Sequence, residues 1–422
     1  MIVKTLQLYK FSAYGFLKNL RLFEPFLILF FREQGLSFLQ IGLLISVRET
    51  ATTILEIPTG ILADACGRKK AMIASFLAYI LSFLIFYFKP VYGFYILAML
   101  FFALGEAFRT GTHKAMILDY LSLHHLSLYK VDYYGYTRSW SQTGSALAAL
   151  LAGLLVFYSG SYRYIFLASV VPYLLGLFLM ISYPAELDGT RIPCENKGLG
   201  RMMLSQLQKT VRDFLISLKS GKLLRVLFNS TLYDGLFKSS KDYLQPLLQT
   251  FALSFPLLVV LGDKRDTITI SVVYFVIYLL TAAASRNARH LVKQIQALPR
   301  AINLTFLAGT GLVIMAGIFT RINLLSASVL ILVLMFIMQN LRRPLNVSYI
   351  SDCIPSRLMA SGLSVESQLK TLTTAVISPI LGYMVDKWGI GSGLLICGLA
   401  ILILFPLVRL PEKESACSEN SS

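Results

Sequence analysis

Gly60-Ile-Leu-Ala-Asp64-Ala-Cys-Gly67-Arg68-Lys69-Lys70 is a short polar turn between two long apolar runs. Gly60 and Gly67 let backbones turn or approach closely, and Asp64 can accept hydrogen bonds from a helix N-terminus. Three consecutive cations resist crossing a bilayer. The stretch therefore reads as a hinge on the cytoplasmic side, joining two membrane-crossing helices.

The surrounding chain supports that setting. It has 422 residues, 56% hydrophobic and 14% charged, which is too apolar for a water-soluble globule. Apolar runs of about 20 residues mark twelve spans. They lie near 11–31, 39–62, 71–88, 91–112, 136–158, 162–183, 223–248, 267–285, 300–319, 323–345, 359–385 and 391–409. The net charge of +17 sits mainly in alternate loops, with Arg68, Lys69, Lys70, Lys114, Lys130, Arg286, Arg289, Lys293, Arg342, Arg343 and Arg357 on one side. Cytoplasmic loops carry the excess of Lys and Arg, so both termini are expected in the cytoplasm. Short loops without added domains suggest a bacterial cytoplasmic (inner) membrane. Basic patches interleaved with stacking aromatics are absent, which argues against a nucleic-acid partner. The first run is interrupted by Lys18, Arg21 and Glu24 and has no small-residue cleavage site, so it reads as helix 1 rather than a cleaved signal.

The two halves echo each other. A shift of 220 lays Gly15, Lys18 and Arg21 on Gly235, Lys238 and Lys241, while Arg109 and Asp119 pair with Arg342 and Asp352. A third echo pairs Gly153 and Gly160 with Gly382 and Gly389. The expected fold is an all-α polytopic membrane protein of twelve transmembrane helices in two pseudo-symmetric six-helix bundles. Residues 1–183 form the first bundle and 223–409 the second, with a cytoplasmic connector over 184–222 and a disordered cytoplasmic tail over 410–422. In the connector, Leu204, Leu207, Val211, Phe214 and Leu218 recur at helical spacing beside Arg201, Lys209, Arg212 and Lys219. That pattern suits either a helix lying on anionic lipid or one packed on protein. In the fifth span, Ser141, Ser145, Ala149 and Gly153, with Gly144, Ala148 and Ala152, form small-residue ladders for close helix packing. Gly382-x-x-x-Asp386-x-x-Gly389 mimics the hinge but falls on the external side by charge, and reads as a helix terminus.

The opening turn resembles the signature loop of the major facilitator superfamily, G-x-x-x-D-x-x-G-R-K. Gly60, Asp64, Gly67, Arg68 and Lys69 match it, and Ala65 departs from it where a basic residue is common. The resemblance implies alternating access between two bundles, with those five residues as a gating loop that stabilises one state. The G-P-x-x-G-G stretch of several drug-proton antiporters has no counterpart here, because the region from Gly144 to Gly153 lacks proline.

Charges inside the spans are the candidate lining of a substrate and coupling site. They are Lys18, Arg21 and Glu24, three residues apart and so expected on one face of helix 1; Arg48 and Glu49 in helix 2; and Glu106 and Arg109 in helix 4. Asp234, Lys238, Lys241 and Asp242 follow in helix 7, with Glu366 and Lys370 on one face of helix 11. Each charge costs about 2.5 to 3.5 kcal/mol at a helix centre, so helix 1 needs a partner or a watery cavity. Structural ion pairing is the competing role for these groups. Pro58 is expected to end or bend helix 2. Glu24, Glu49 and Asp234 are the carboxylates suited to carrying a proton, and the cationic excess in helices 1 and 7 suits a solute with a carboxylate or phosphate. The expectation is a monomeric, proton-coupled transporter of a small molecule, needing no cofactor beyond a proton gradient, with export favoured. Import of an organic anion, or a channel or non-transporting receptor on the same fold, are the alternatives. Enzyme chemistry is not expected: His113, His124, His125 and His290 fall in loops without metal spacing.

Overall fold

The computed structural model describes residues 5–126, 129–188, 208, 221–254, 262, 264–295, 297–353 and 359–411. Every regular element within them is helical. In chain order they are α1 (Leu6–Asn19), α2 (Leu27–Glu33), α3 (Phe38–Cys66), α4 (Arg68–Phe88), α5 (Tyr92–Arg109), α6 (Thr112–Leu123), α7 (Lys130–Ser159) and α8 (Tyr164–Ile181). There follow α9 (Gly221–Ser240), α10 (Leu244–Ser254), α11 (Arg265–Ile295), α12 (Leu298–Arg321), α13 (Leu325–Cys353) and α14 (Met359–Val408). Apart from Gln208, the connector helix expected around 204–218 lies outside the described residues, as does the tail from 412.

Contacts divide the chain into two compact units. Unit 1 holds residues 1–34, 47–206 and 267–278; unit 2 holds 35–46, 207–266 and 279–422. In unit 1, α1 packs on α7 and α8, and α4 packs on α5 and α8. Glycines set the first of these approaches. A Cβ at Gly144 would meet the Phe16 carbonyl oxygen at 2.5 Å, and one at Gly15 would meet Ser141 Oγ at 2.7 Å. A Cβ at Gly153 would overlap the Ser271 side chain outright, so the small-residue ladder of α7 is a packing surface. In unit 2, α9 and α12 pack on α14, and α12 also packs on α13. Gly235, the echo of Gly15, makes the matching approach, to Thr373 of α14 at 2.6 Å.

Nine stretches among the described residues are long and apolar enough to cross a membrane, yet only 28% to 50% of each most apolar window is buried inside the protein. The rest is an apolar exterior. On α7, Leu147, Leu151 and Leu154 stand exposed, as do Val171, Leu174, Leu175 and Phe178 on α8. In water each such side chain forgoes about 2 kcal/mol of burial, a cost that lipid removes. The fold is thus that of a multi-pass membrane protein.

The expected twelve spans are not met as twelve continuous helices. α14 contains two runs folded at Gly389, whose φ of 82° takes it out of the helix. The first and seventh spans are broken. α1 ends at Asn19, a 3-10 turn covers Glu24–Phe26, and α2 starts at Leu27; α9 ends at Ser240, a 3-10 turn covers Lys241–Tyr243, and α10 starts at Leu244. Pro25 and Pro246 account for both breaks, since each lacks an N–H and its ring crowds the carbonyl four residues back. Lys18, Arg21 and Glu24 therefore do not share one helix face: Lys18 is in the last turn of α1, Arg21 lies in the break and Glu24 starts the 3-10 turn. Pro58 does not end its helix. α3 continues through it to Cys66.

Gly382-x-x-x-Asp386-x-x-Gly389 lies at the fold of α14, and Asp386 does more than end a helix. Its two carboxylate oxygens accept the backbone N–H groups of Phe38 (2.9 Å) and Leu39 (2.7 Å), capping the start of α3 within unit 2. Close backbone approaches flank this cap: a Cβ on Gly42 would meet the Ser378 carbonyl oxygen at 2.5 Å, and Gly382 lies against the Phe38 carbonyl.

Candidate functional site

The hinge turn is tight because Gly67 has φ 104°, a conformation that L side chains rarely adopt. A Cβ there would also meet the Asp188 carboxylate at 2.8 Å. Asp188, which the sequence reading left out of the loop, accepts the Lys69 backbone N–H at 2.8 Å near the start of α4. Lys69 Nζ donates to the Tyr183 carbonyl at 2.7 Å. The Tyr183 hydroxyl donates in turn to the Lys10 carbonyl at 3.3 Å. Arg68 forms a close ion pair with Asp119 on α6. Asp64 is half exposed, and its partner among the described residues is Arg68 at 3.8 Å. The N-terminal acceptor role expected of Asp64 thus belongs, within unit 1, to Asp188. Gly60 has open space around it. Arg68→Ala should accordingly destabilise unit 1 by about 1 kcal/mol, more than Asp64→Asn does, in chemical unfolding of the purified protein.

Unit 1 gathers a second, deeper cluster around the break after α1. Arg21 Nη2 meets Glu106 Oε1 at 2.6 Å, and Arg109 pairs closely with the other Glu106 oxygen. Arg109 Nε donates to the Tyr79 hydroxyl at 3.2 Å. The Tyr173 hydroxyl donates to the Lys18 carbonyl at 3.2 Å, holding the last turn of α1. Glu24 lies within electrostatic range of Lys18 and Arg21. Nearby on α3, Arg48 and Glu49 pair with each other at 2.8 Å, and the Arg48 guanidinium lies 5.9 Å from the Phe102 ring centre. His113, expected in a loop, is buried in α6, because Gly111 (φ 79°) lets the chain re-enter a helix at Thr112. Its ring stacks on Tyr14 at 3.6 Å.

Unit 2 has a different polar centre. Lys370 Nζ bridges Asp234 Oδ2 at 2.6 Å and Glu366 Oε1 at 2.7 Å, tying α9 to α14. Ser230 donates to Glu366 at 2.7 Å, and Gln339 of α13 donates to Asp234 at 2.6 Å. Lys238 sits in the last turn of α9, and Lys241 pairs with its neighbour Asp242 at 2.8 Å in the 3-10 turn. Arg342, assigned to a loop by its charge, is instead fully buried in α13. It donates to Thr305 Oγ1 (3.1 Å), to the Asn229 carbonyl (3.2 Å) and to the Ile302 carbonyl, and its guanidinium lies 4.7 Å from the Tyr233 ring centre. The repeat of Arg109 at Arg342 was the signal that could have found it. The structure thus brings the candidate charges into separate groups, Lys18, Arg21, Glu24, Glu106 and Arg109 in one and Asp234, Glu366 and Lys370 in another.

The chain is thus a multi-pass helical protein of two units, each holding a helix broken beside buried charges. Residues 15–367 match the Major Facilitator Superfamily, and the chain belongs to it. It is a transporter and not an enzyme. A stretch of 106 residues, 25% of this chain, is 37% identical to an uncharacterized MFS-type transporter, YxaM, of Bacillus subtilis (strain 168), and spans 26% of that relative. Over 96% of its length the chain is similar in fold to the nucleoside transporter NupG (TM-score 0.72, 12% identity, 98% of that chain). It is similar likewise, over 96% of each chain, to a peptide transporter POT in complex with sulfate (TM-score 0.65, 16% identity). Over 95% of its length it is similar to a POT family transporter in complex with 5-aminolevulinic acid (TM-score 0.69, 13% identity, 93% of that chain).

Proposed function

We propose that the protein moves a small solute by alternating access coupled to protons. The observation that carries the coupling is Lys370 shared between Asp234 and Glu366. Two carboxylates 7% and 5% exposed depend on one ammonium for neutralisation. A proton taken up by Asp234 releases Lys370 to Glu366 on its own helix and loosens the tie between α9 and α14, whereas a proton on Glu366 leaves Lys370 to Asp234 and keeps it. Proton binding and helix arrangement are then one equilibrium. Of the three carboxylates favoured from sequence, Asp234 has this arrangement, while Glu49 has an arginine beside it. The proteins of similar fold are a nucleoside transporter, a peptide transporter and a transporter in complex with 5-aminolevulinic acid, a spread that leaves the choice of solute to this chain's own residues. The cationic unit 1 cluster favours an organic anion. Export is the direction we assign, and import of an organic anion is the second reading. The gating role of Gly60, Asp64, Gly67, Arg68 and Lys69, the inner membrane and a monomeric state belong to the same proposal.

The test is proton movement in liposomes containing the purified protein and an entrapped pH dye, with a panel of organic anions and lipophilic cations. One solute class should change the internal pH in the wild type, and Asp234→Asn should abolish that change while still exchanging the solute. Unaltered proton movement in both Asp234→Asn and Glu366→Gln would remove these residues from coupling.

A further inference from the structure

Among the described residues, the Lys18 ammonium makes no hydrogen bond and no ion pair, although Arg109, Arg21, Glu106 and Glu24 all lie within electrostatic range of it. Glu106 is engaged elsewhere in the cluster. One Glu106 oxygen is taken by Arg21 and the other by Arg109. The Nε–H of Arg21 is buried without an acceptor. An unpartnered ammonium and an orphaned guanidinium N–H thus belong to one group of charges, just where α1 stops.

A purely structural account covers part of this. A lysine in the last turn of a helix is favoured by the helix dipole, which explains why a positive charge is tolerated at Lys18. It supplies no acceptor for the Arg21 Nε–H and no counter-charge for a third cation beside Arg21 and Arg109. Buried donors are otherwise almost always satisfied, and ionisable groups inside a membrane bundle pair with something. The missing partner must accept hydrogen bonds and carry negative charge. Glu106 is one carboxylate shared between two guanidinium groups, so the pairing itself leaves a positive charge that a single negative charge completes. Aromatic side chains surround the charges: Tyr14 precedes Lys18 by one helical turn on the same face of α1, and Tyr79 and Tyr173 hydrogen-bond to Arg109 and to the Lys18 carbonyl.

We infer that Lys18, with the Arg21 Nε–H, anchors the carboxylate of a singly charged organic anion, and that this anion is the transported solute. The identity of the solute rests on the transporter reading above, whereas the binding site stands on the unit 1 geometry alone. Charge-assisted hydrogen bonds to a carboxylate are strong enough that losing the ammonium should be plain in a binding curve.

The experiment is equilibrium binding to the full-length protein in detergent, followed by thermal shift and by titration calorimetry. The probes are benzoate, acetate and lactate, with benzamide as the neutral analogue, sulfate as a dianion and tetraphenylphosphonium as a cation. At least one monocarboxylate should bind saturably and benzamide should not. Lys18→Gln should weaken that binding at least tenfold, and Lys18→Arg should keep it within a few-fold of wild type. If Lys18→Gln does not fold, the Lys18→Arg result and competition by the other monocarboxylates decide the matter. Equal binding of benzoate and benzamide, undiminished binding to Lys18→Gln, preference for the cation, or no binding by any monocarboxylate each overturns the inference. Anion binding without solute exchange in liposomes would instead fault the transporter reading and leave the site standing. Exchange of solutes that are not anions would do the reverse.

Discussion

Lys370→Met should cost the protein about 3 kcal/mol of stability and abolish proton-coupled transport. The reason is the geometry of unit 2. Asp234 and Glu366 meet the same nitrogen, at 2.6 and 2.7 Å, so removing it leaves two like charges facing each other in a buried site. One of them must then take up a proton or separate from the other. Ser230 and Gln339 cannot replace the lysine, because each supplies a neutral hydrogen bond to only one carboxylate. Removing one carboxylate as well restores the balance: Lys370→Met with Asp234→Asn should recover most of the lost stability and none of the coupling. Unfolding monitored in mixed micelles reads the first effect, and internal pH in liposomes reads the second. A Lys370→Met variant as stable as wild type would show that the bridge is not a buried ion network.

Glu106→Gln should have an effect of similar size by the opposite imbalance. Glu106 holds Arg21 with one oxygen and Arg109 with the other, so the neutral amide leaves both guanidinium groups and Lys18 in mutual repulsion. A loss of about 3 kcal/mol is expected. Arg21→Gln added to Glu106→Gln removes one cation for one carboxylate, so the double change should cost clearly less than the sum of the two single changes. The measurement is a double-mutant cycle on unfolding free energy, and additivity of the two changes would contradict the network.

The parts of this protein that were legible in the sequence are those written in local spacing. The hinge turn announces itself by two glycines, an aspartate and three cations in eleven residues, and Gly67 needs its glycine for φ. The ladder on α7 gives its packing face directly through Gly144 and Gly153. Glu366 and Lys370 could be placed on one face from their separation, and they form an ion pair. What escaped was long-range or depended on a break. Equal spacing put Lys18, Arg21 and Glu24 on a common face only while helix 1 was taken as continuous, and Pro25 was the overlooked sign that it is not. The link from Lys370 to Asp234 joins two helices far apart in sequence, which no spacing encodes. Arg342 was assigned by the rule that cations gather in loops, a rule about membrane orientation that is silent about an arginine satisfied by Thr305, Asn229 and backbone carbonyls. Asp188, and the cap that Asp386 puts on α3, were missed for one reason: a side chain that caps the start of a helix distant in sequence leaves no mark on its own neighbours.

Counterflow tests the central claim most directly. Liposomes holding the protein are loaded with unlabelled benzoate, or with whichever monocarboxylate binds tightest, and diluted into a trace of the same compound carrying a radiolabel. A carrier that alternates between two sides exchanges inside for outside, so the label should accumulate transiently above its equilibrium level in wild type and in Asp234→Asn, and not in protein-free liposomes. Label that only approaches equilibrium, without that overshoot, would mean a channel. Absence of any protein-dependent entry would contradict transport of this solute class.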